Sequence, residues 1–202
     1  MTAQDPGSTL NPSRSRRLMK ATAETHIRLE NAIRAVAAFD SRERYTRFLI
    51  VQRAFYRDID ALYLTPALAG VLPDLPERSR LGLIEEDLSD VGEAAVSVDH
   101  QPVFRHDEPV EIPNALGWLF VAEGSNLGAA ALLKKASKLG LGERFGARHL
   151  APRPGGRGRS WGTFAEAFDA VALGSREEKS VVDGATNAFE RFETLVEKVY
   201  RQ

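Results

Sequence analysis

The sequence predicts an all-α fold in a single domain. Three observations lead there. Apolar residues recur at helical spacing through most of the chain, strand-like stretches such as AAVSV are short and isolated, and proline, glycine and capping residues fall where the helical stretches should begin and end. A length of 202 residues suits one domain, and no repeat or linker divides it. Such helices are held by the packing of their apolar stripes more than by propensity.

The elements follow in order. Residues 1–12 are polar and carry Pro6, Gly7 and Pro12, so they read as a flexible arm, with the domain over 13–202. From Arg14 to Ala37 a helix is expected on the spacing of Leu18, Ala21, Leu29, Ile33 and Val36. Asp40, with Glu43 three residues on, is the expected capping box of a helix reaching Tyr63. Thr65-Pro66 opens a short helix ending near Gly70. LPERSRLGLIEEDLSDVG reads as one helix, acidic on its outer side. Residues 93–110 look irregular. Pro113 opens a long helix to about Lys138, LGLGERFGARHL is a turn or a turn with a short helix, and APRPGGRGRS is a loop. A helix follows over Trp161–Ala172, and Ser175 with Glu178 is the expected capping box of the last one, which reaches about Tyr200.

Composition narrows the functions. The 27 basic and 28 acidic side chains give a net charge of −1, which offers no ground for nucleic-acid binding, although a local basic cluster could hold a small anion. The absence of cysteine excludes disulfides, thiolate metal sites and cysteine nucleophiles and is compatible with a cytoplasmic location. No apolar run is expected to reach the roughly 18–20 residues of a membrane span, and the N-terminus lacks the basic start and apolar centre of a signal peptide.

The stretch VAEGSNLGAAALLKK is composed mainly of good helix formers, yet it holds Gly124 and Gly128, and Gly117 lies one heptad before Gly124. Each glycine inside a helix costs about 0.5–1 kcal/mol relative to alanine. At about 100° per residue the three share one face. That face suits either close helix–helix packing or a flat ligand lying across the backbone. The flanks favour the ligand. Trp118 and Phe120 supply aromatic walls, Ser125 a hydroxyl, and Lys134 and Lys135 charges for carboxylates. Large, flat, apolar and dianionic describes haem.

Four histidines are present: His26, His100, His106 and His149. The second and third fall in the irregular segment, where exposure is expected. His149 is near a turn and reads as a cap or a surface residue. His26 is mid-helix at the edge of the apolar stripe, with Glu30 at i+4. A lone histidine there is more often structural than a ligand. With a carboxylate to accept from its second ring nitrogen, it suits an axial iron ligand of haem better than zinc, which needs three or four protein ligands.

Together, ETHIRLENAI, ALGWLFVAEGSNLGAAALLKK and LGERFGARHLA resemble the bacterial haem oxygenases, especially the iron-acquisition branch of Gram-negative bacteria, and the similarity runs from about Arg14 to the C-terminus. The resemblance implies a haem-oxygenase-like helical bundle with haem sandwiched between a proximal and a distal helix. It implies His26 as the iron ligand and Glu30 as its supporting partner. Gly124, Ser125 and Gly128 match the distal helix over the iron, and Phe120 an aromatic position one turn earlier. Arg34 and Lys135 match basic positions near the propionates. Met19 stands where some relatives carry a polar or basic residue toward a propionate, which bears on how the macrocycle is rotated and so on which meso carbon is cut.

The implied activity is cleavage of haem, at once cofactor and substrate, to biliverdin, CO and ferrous iron, using O₂ and external electrons. The expected donor is a ferredoxin or flavodoxin-type reductase, docking on a face that bears Arg148, Arg153, Arg157 and Arg159. The expected role is iron recovery or supply of biliverdin to a bacterial phytochrome, in a cytoplasmic monomer without nucleic-acid or membrane partners. The alternatives are a non-degrading haem carrier or sensor on the same fold, and a haem-free helical protein whose glycines serve packing.

Overall fold

The computed structural model describes residues 12–92 and 101–201. AAVSV, His100 and all but the last residue of the N-terminal arm lie outside the described residues. The rest is helical, with no strand among the described residues. The elements are α1 (Arg14–Ala21), α2 (Ala23–Ala35), α3 (Arg42–Tyr63), α4 (Pro66–Ala69), α5 (Leu81–Val91), α6 (Ile112–Ser137), α7 (Arg157–Ala170) and α8 (Ser175–Tyr200), with 3-10 turns at Pro76–Arg78 and Arg148–Leu150.

Several boundaries differ from expectation for identifiable reasons. The single helix expected over 14–37 is two, because Thr22 bonds back onto the Leu18 carbonyl with both its backbone amide (3.0 Å) and its hydroxyl (2.9 Å), a contact that bends helices. The cap of α3 is Ser41, whose hydroxyl accepts from the Arg44 amide at 3.2 Å. Asp40 is instead tied into a turn on the Ala37 carbonyl, with Ala37 left-handed at φ 48°. At the head of α8 the cap is Gly174, to whose amide Glu177 reaches back at 2.6 Å; Glu178 pairs with Arg14 and Arg17 instead. Ser79, with ψ 138°, breaks the helix expected before α5. Gly155 and Gly156, at φ 87° and 88°, make the turn that lets α7 start at Arg157.

The frame is α6 on α8. They meet through Gly117 and Gly184: a Cβ on Gly117 would lie 2.2 Å from the Val181 carbonyl oxygen, and one on Gly184 would lie 2.1 Å from that of Asn114. Helix α3 runs antiparallel to α8, with Arg47 bonded to the Val199 carbonyl at one end and Asp58 paired with Arg191 further along, and it meets α6 where Phe55 stacks on Trp118 and Tyr63 bonds Glu123. Helix α6 is apolar and long enough by composition to span a membrane. This corrects the expectation that no apolar run is long enough; Glu123 and Asn126 lie within the helix, and half of its most apolar 18-residue window is buried in the protein core.

Helix α2 lies along α8, and α7 runs back along α6. Both α2 and α6 rest on α8 while barely touching one another. Arg14 closes the outer side. It donates to the carbonyls of Phe168 and Val171 at the end of α7 and to Glu178, while Ser15 bonds Asp169 through amide and hydroxyl at 2.7 and 2.8 Å.

Candidate functional site

His26 projects from α2 with its ring half exposed. Its inner side meets Phe189 of α8 edge-on, at 5.7 Å between ring centroids. Glu30 lies one turn on, its carboxylate 3.8 Å from Nε2, too far for a hydrogen bond. Elsewhere among the described residues, His106 stands 3.5 Å from Asp60 and His149 is fully enclosed. His26 is therefore the described histidine that combines an accessible ring with an aromatic support in the gap beside α8.

The three glycines of α6 do not share one role. Gly117 is helix packing, as its contact with α8 shows. Gly124 faces Trp161 of α7, whose ring atoms stand 3.6 and 3.8 Å from where a Cβ would be. Gly128 has nothing within 4 Å of that position and is exposed. A bare backbone open on one side is the surface a flat macrocycle and a small diatomic gas could approach. Ser125 is exposed, its hydroxyl donating to the Ala122 carbonyl at 2.7 Å, and the Asn126 amide reaches the same carbonyl at 3.4 Å. Phe120 is buried in an aromatic cluster with Trp161 (5.3 Å) and Phe168 (5.2 Å).

Arg34 is exposed in the last turn of α2. Lys135 is exposed near the end of α6, its ammonium 5.8 Å above the Phe39 ring. Phe39 follows α2 by one turn, so both cations sit at the same end of the α2–α6 gap. Exposed Met19, Ile27 and Leu127 add apolar surface on α1, α2 and α6. An accessible imidazole, a bare glycine backbone, apolar flanks and two cations at one end fit haem.

Below the open face lies a buried polar layer that the sequence reading missed. Glu123 accepts from Arg78 at 2.9 Å and from the Tyr63 hydroxyl at 3.3 Å. Burial pushes the Glu123 carboxyl up, against the pull of Arg78, and burial also raises the Tyr56 and Tyr63 phenols. His149 is not a surface residue. Its Nδ1 lies 2.8 Å from Asp87, whose carboxylate also accepts the backbone amides of Arg148 and His149. Asp87 in turn corrects the expected acidic outer face of α5, being fully buried. No spacing signals these pairs, because their members are 45 to 62 residues apart.

The arginines expected to form a docking face are engaged internally. Arg148 pairs with Asp87 and Asp90, Arg153 bonds the Glu77 carbonyl, and Arg157 bonds the carbonyls of Asn126 and Leu150. Arg159 remains exposed.

Comparison with known proteins gives a consistent answer. The chain is 43% identical over 195 residues to heme oxygenase PigA of Pseudomonas aeruginosa, covering 96% of this chain and 97% of that one. Its fold superposes on the crystal structure of the Neisseria meningitidis heme oxygenase with a TM-score of 0.87 at 34% identity, covering 95% of this chain and 94% of the other. The sequence model of the heme oxygenase family matches residues 13–198, and the chain belongs to that family.

Proposed function

We propose that haem lies between α2 and α6 and is cleaved there to biliverdin, CO and ferrous iron. The observation that carries this reading is the pairing of an accessible His26 on one helix with an open glycine face at Gly128 on another, both helices resting on α8. When bound, haem supplies the iron at which O₂ is reduced and the ring that is opened.

The chain's own residues do the rest. His26 holds the iron from the α2 side, and Phe189 limits the ring's freedom from behind. A small rotation of the Glu30 side chain closes its 3.8 Å gap and orients the imidazole. Across the haem, Gly128 would keep side chains out of the space above the ring, Gly124 would let the backbone pass close beneath Trp161, and exposed Ser125 can hold water there. Phe120 and Trp161 wall the pocket, and Arg34 and Lys135 receive the propionates. Electrons come from a ferredoxin or flavodoxin-type reductase in the cytoplasm, and the protein acts as a monomer. The biliverdin is discarded during iron recovery or passed to a phytochrome.

The test is to add ferric haem, then ascorbate in air with catalase present. A Soret band that forms and decays into a biliverdin spectrum is expected. A Soret complex that persists even with a protein reductase would mean carriage without cleavage, and failure to form one would refute haem binding.

A further inference from the structure

The open glycine face is gripped from the side by α7. Arg157, the first residue of α7, donates through Nη1 to the Asn126 carbonyl at 2.9 Å and through Nη2 to the Leu150 carbonyl. Trp161, one turn on along the same face of α7, lies over Gly124. The two side chains therefore hold α6 at neighbouring points, inside the segment bounded by Gly124 and Gly128.

Buried Tyr56 also interacts with Ser125 in that segment. Its glycines contribute no side chains, and Ser125 and Asn126 turn their polar groups back onto the Ala122 carbonyl. Helix carbonyls that take extra donors tilt outward and let the helix bend. Two carbonyls one turn apart, at Ala122 and Asn126, carry such donors here. The donor on Asn126 is a half-buried guanidinium reaching from another helix, a stronger bond than one between neutral groups. Its other arm is anchored at Leu150, beside the buried His149–Asp87 pair. The segment is thus referenced to the rigid interior rather than to α6 alone.

Resting on the proposed site between α2 and α6, we infer that Arg157 is a positioning residue: it sets where the Gly124–Gly128 backbone lies over the substrate, and so the room and tilt available to an iron-bound ligand. It touches neither the macrocycle nor the gas. Its action is through the Asn126 carbonyl.

The test compares Arg157→Met, Arg157→Lys and Arg14→Met. Methionine keeps the stem and removes both bonds; lysine can keep one; Arg14→Met loosens the far end of α7 and controls for lost stability. Amide hydrogen exchange of the 122–133 peptide is measured without and with ferric haem, together with the isomer composition of the biliverdin formed. Arg157→Met is expected to speed exchange in that peptide by about tenfold while α3 and α8 stay unchanged, and to broaden the product isomers. Arg157→Lys should recover most of both, and Arg14→Met should do neither. Exchange that is unchanged in 122–133, or raised equally throughout the protein, would overturn the inference, as would a product spectrum identical to that of the parent. The haem-free measurement separates the two ideas: if it shows the local loosening but no variant, nor the parent, binds haem, the site reading fails and the clamp stands.

Discussion

Gly117 and Gly184 are in backbone contact, and neither position has room for one more carbon. Gly128, on the same helix and the same expected face, has open space where its Cβ would be. The two ends of the glycine stripe therefore answer to different demands, one for packing and one for access.

Opposite stability effects follow from a single alanine. Gly117→Ala would put a methyl 2.2 Å from a carbonyl oxygen and force α6 and α8 apart, a loss of about 1–3 kcal/mol or more. Gly128→Ala meets nothing and gains helix propensity, worth up to about 1 kcal/mol. Urea unfolding of both variants checks this. A Gly117→Ala protein as stable as the parent would show that the helices can separate freely.

Activity should separate the same two positions in reverse. Gly128→Leu is expected to fold normally, since nothing crowds that site, and to block oxygenation or redirect it to another meso carbon. The readings are the melting temperature, the haem complex and the chromatographic pattern of biliverdin isomers. Parent-like turnover and product from a folded Gly128→Leu protein would remove the glycine face from the mechanism.

His26→Ala removes a half-exposed ring that makes no hydrogen bond within the protein. The change in stability should stay within about 0.5 kcal/mol, while the Soret spectrum of the haem complex changes and turnover is lost. Added imidazole should restore the parent spectrum if the ring's role is to hold iron. A spectrum unaltered by the substitution would assign the axial position elsewhere.

The helical wheel displays which residues share a face, and it grouped Gly117, Gly124 and Gly128 correctly. It carries no information on which neighbour each one meets, and here the neighbours are α8, Trp161 and open space. The same gap explains His149, which reads as a cap or a surface residue because it lies near a turn; its partner Asp87 sits in an acidic run, EEDLSD, that reads as a solvated face. Of the acids in that run only Asp87 turns fully inward. Caps moved by one residue, at Ser41 and Gly174, because a turn closed by Asp40 and a reach-back by Glu177 outcompeted the expected boxes. His26 and the distal glycines were readable as candidates because a ligand site needs particular residue types at particular spacings along one helix, and the structure leaves His26 accessible and Gly128 open while Trp161 covers Gly124. The buried pairs beneath were not, since any compatible acid and base brought together by the fold would serve.

The His149–Asp87 pair makes stability depend on pH with a definite sign. Burial pushes the His149 imidazole below its ordinary value; Asp87 pulls the other way, and Arg80 adds to the depression. Burial alone would raise the Asp87 carboxyl, but bonds from the His149 ring and from the His149 and Arg148 amides outweigh it, and it falls below its ordinary value. Unfolded histidine takes a proton near pH 6.5, whereas the folded ring resists it to lower pH. The unfolded state then binds more protons, so stability falls as pH drops from about 6.5 toward the lowered folded value. Asp87 extends the loss: its contribution is present above about pH 3.9 and disappears as pH falls through its depressed folded value. His149→Gln keeps a donor for Asp87 and cannot titrate in this range. It should be less stable than the parent at pH 7, yet lose less between pH 7 and pH 5. Urea midpoints at the two pH values decide the matter. Equal losses in the variant and the parent would show that some other group, and not His149, makes this fold sensitive to acid.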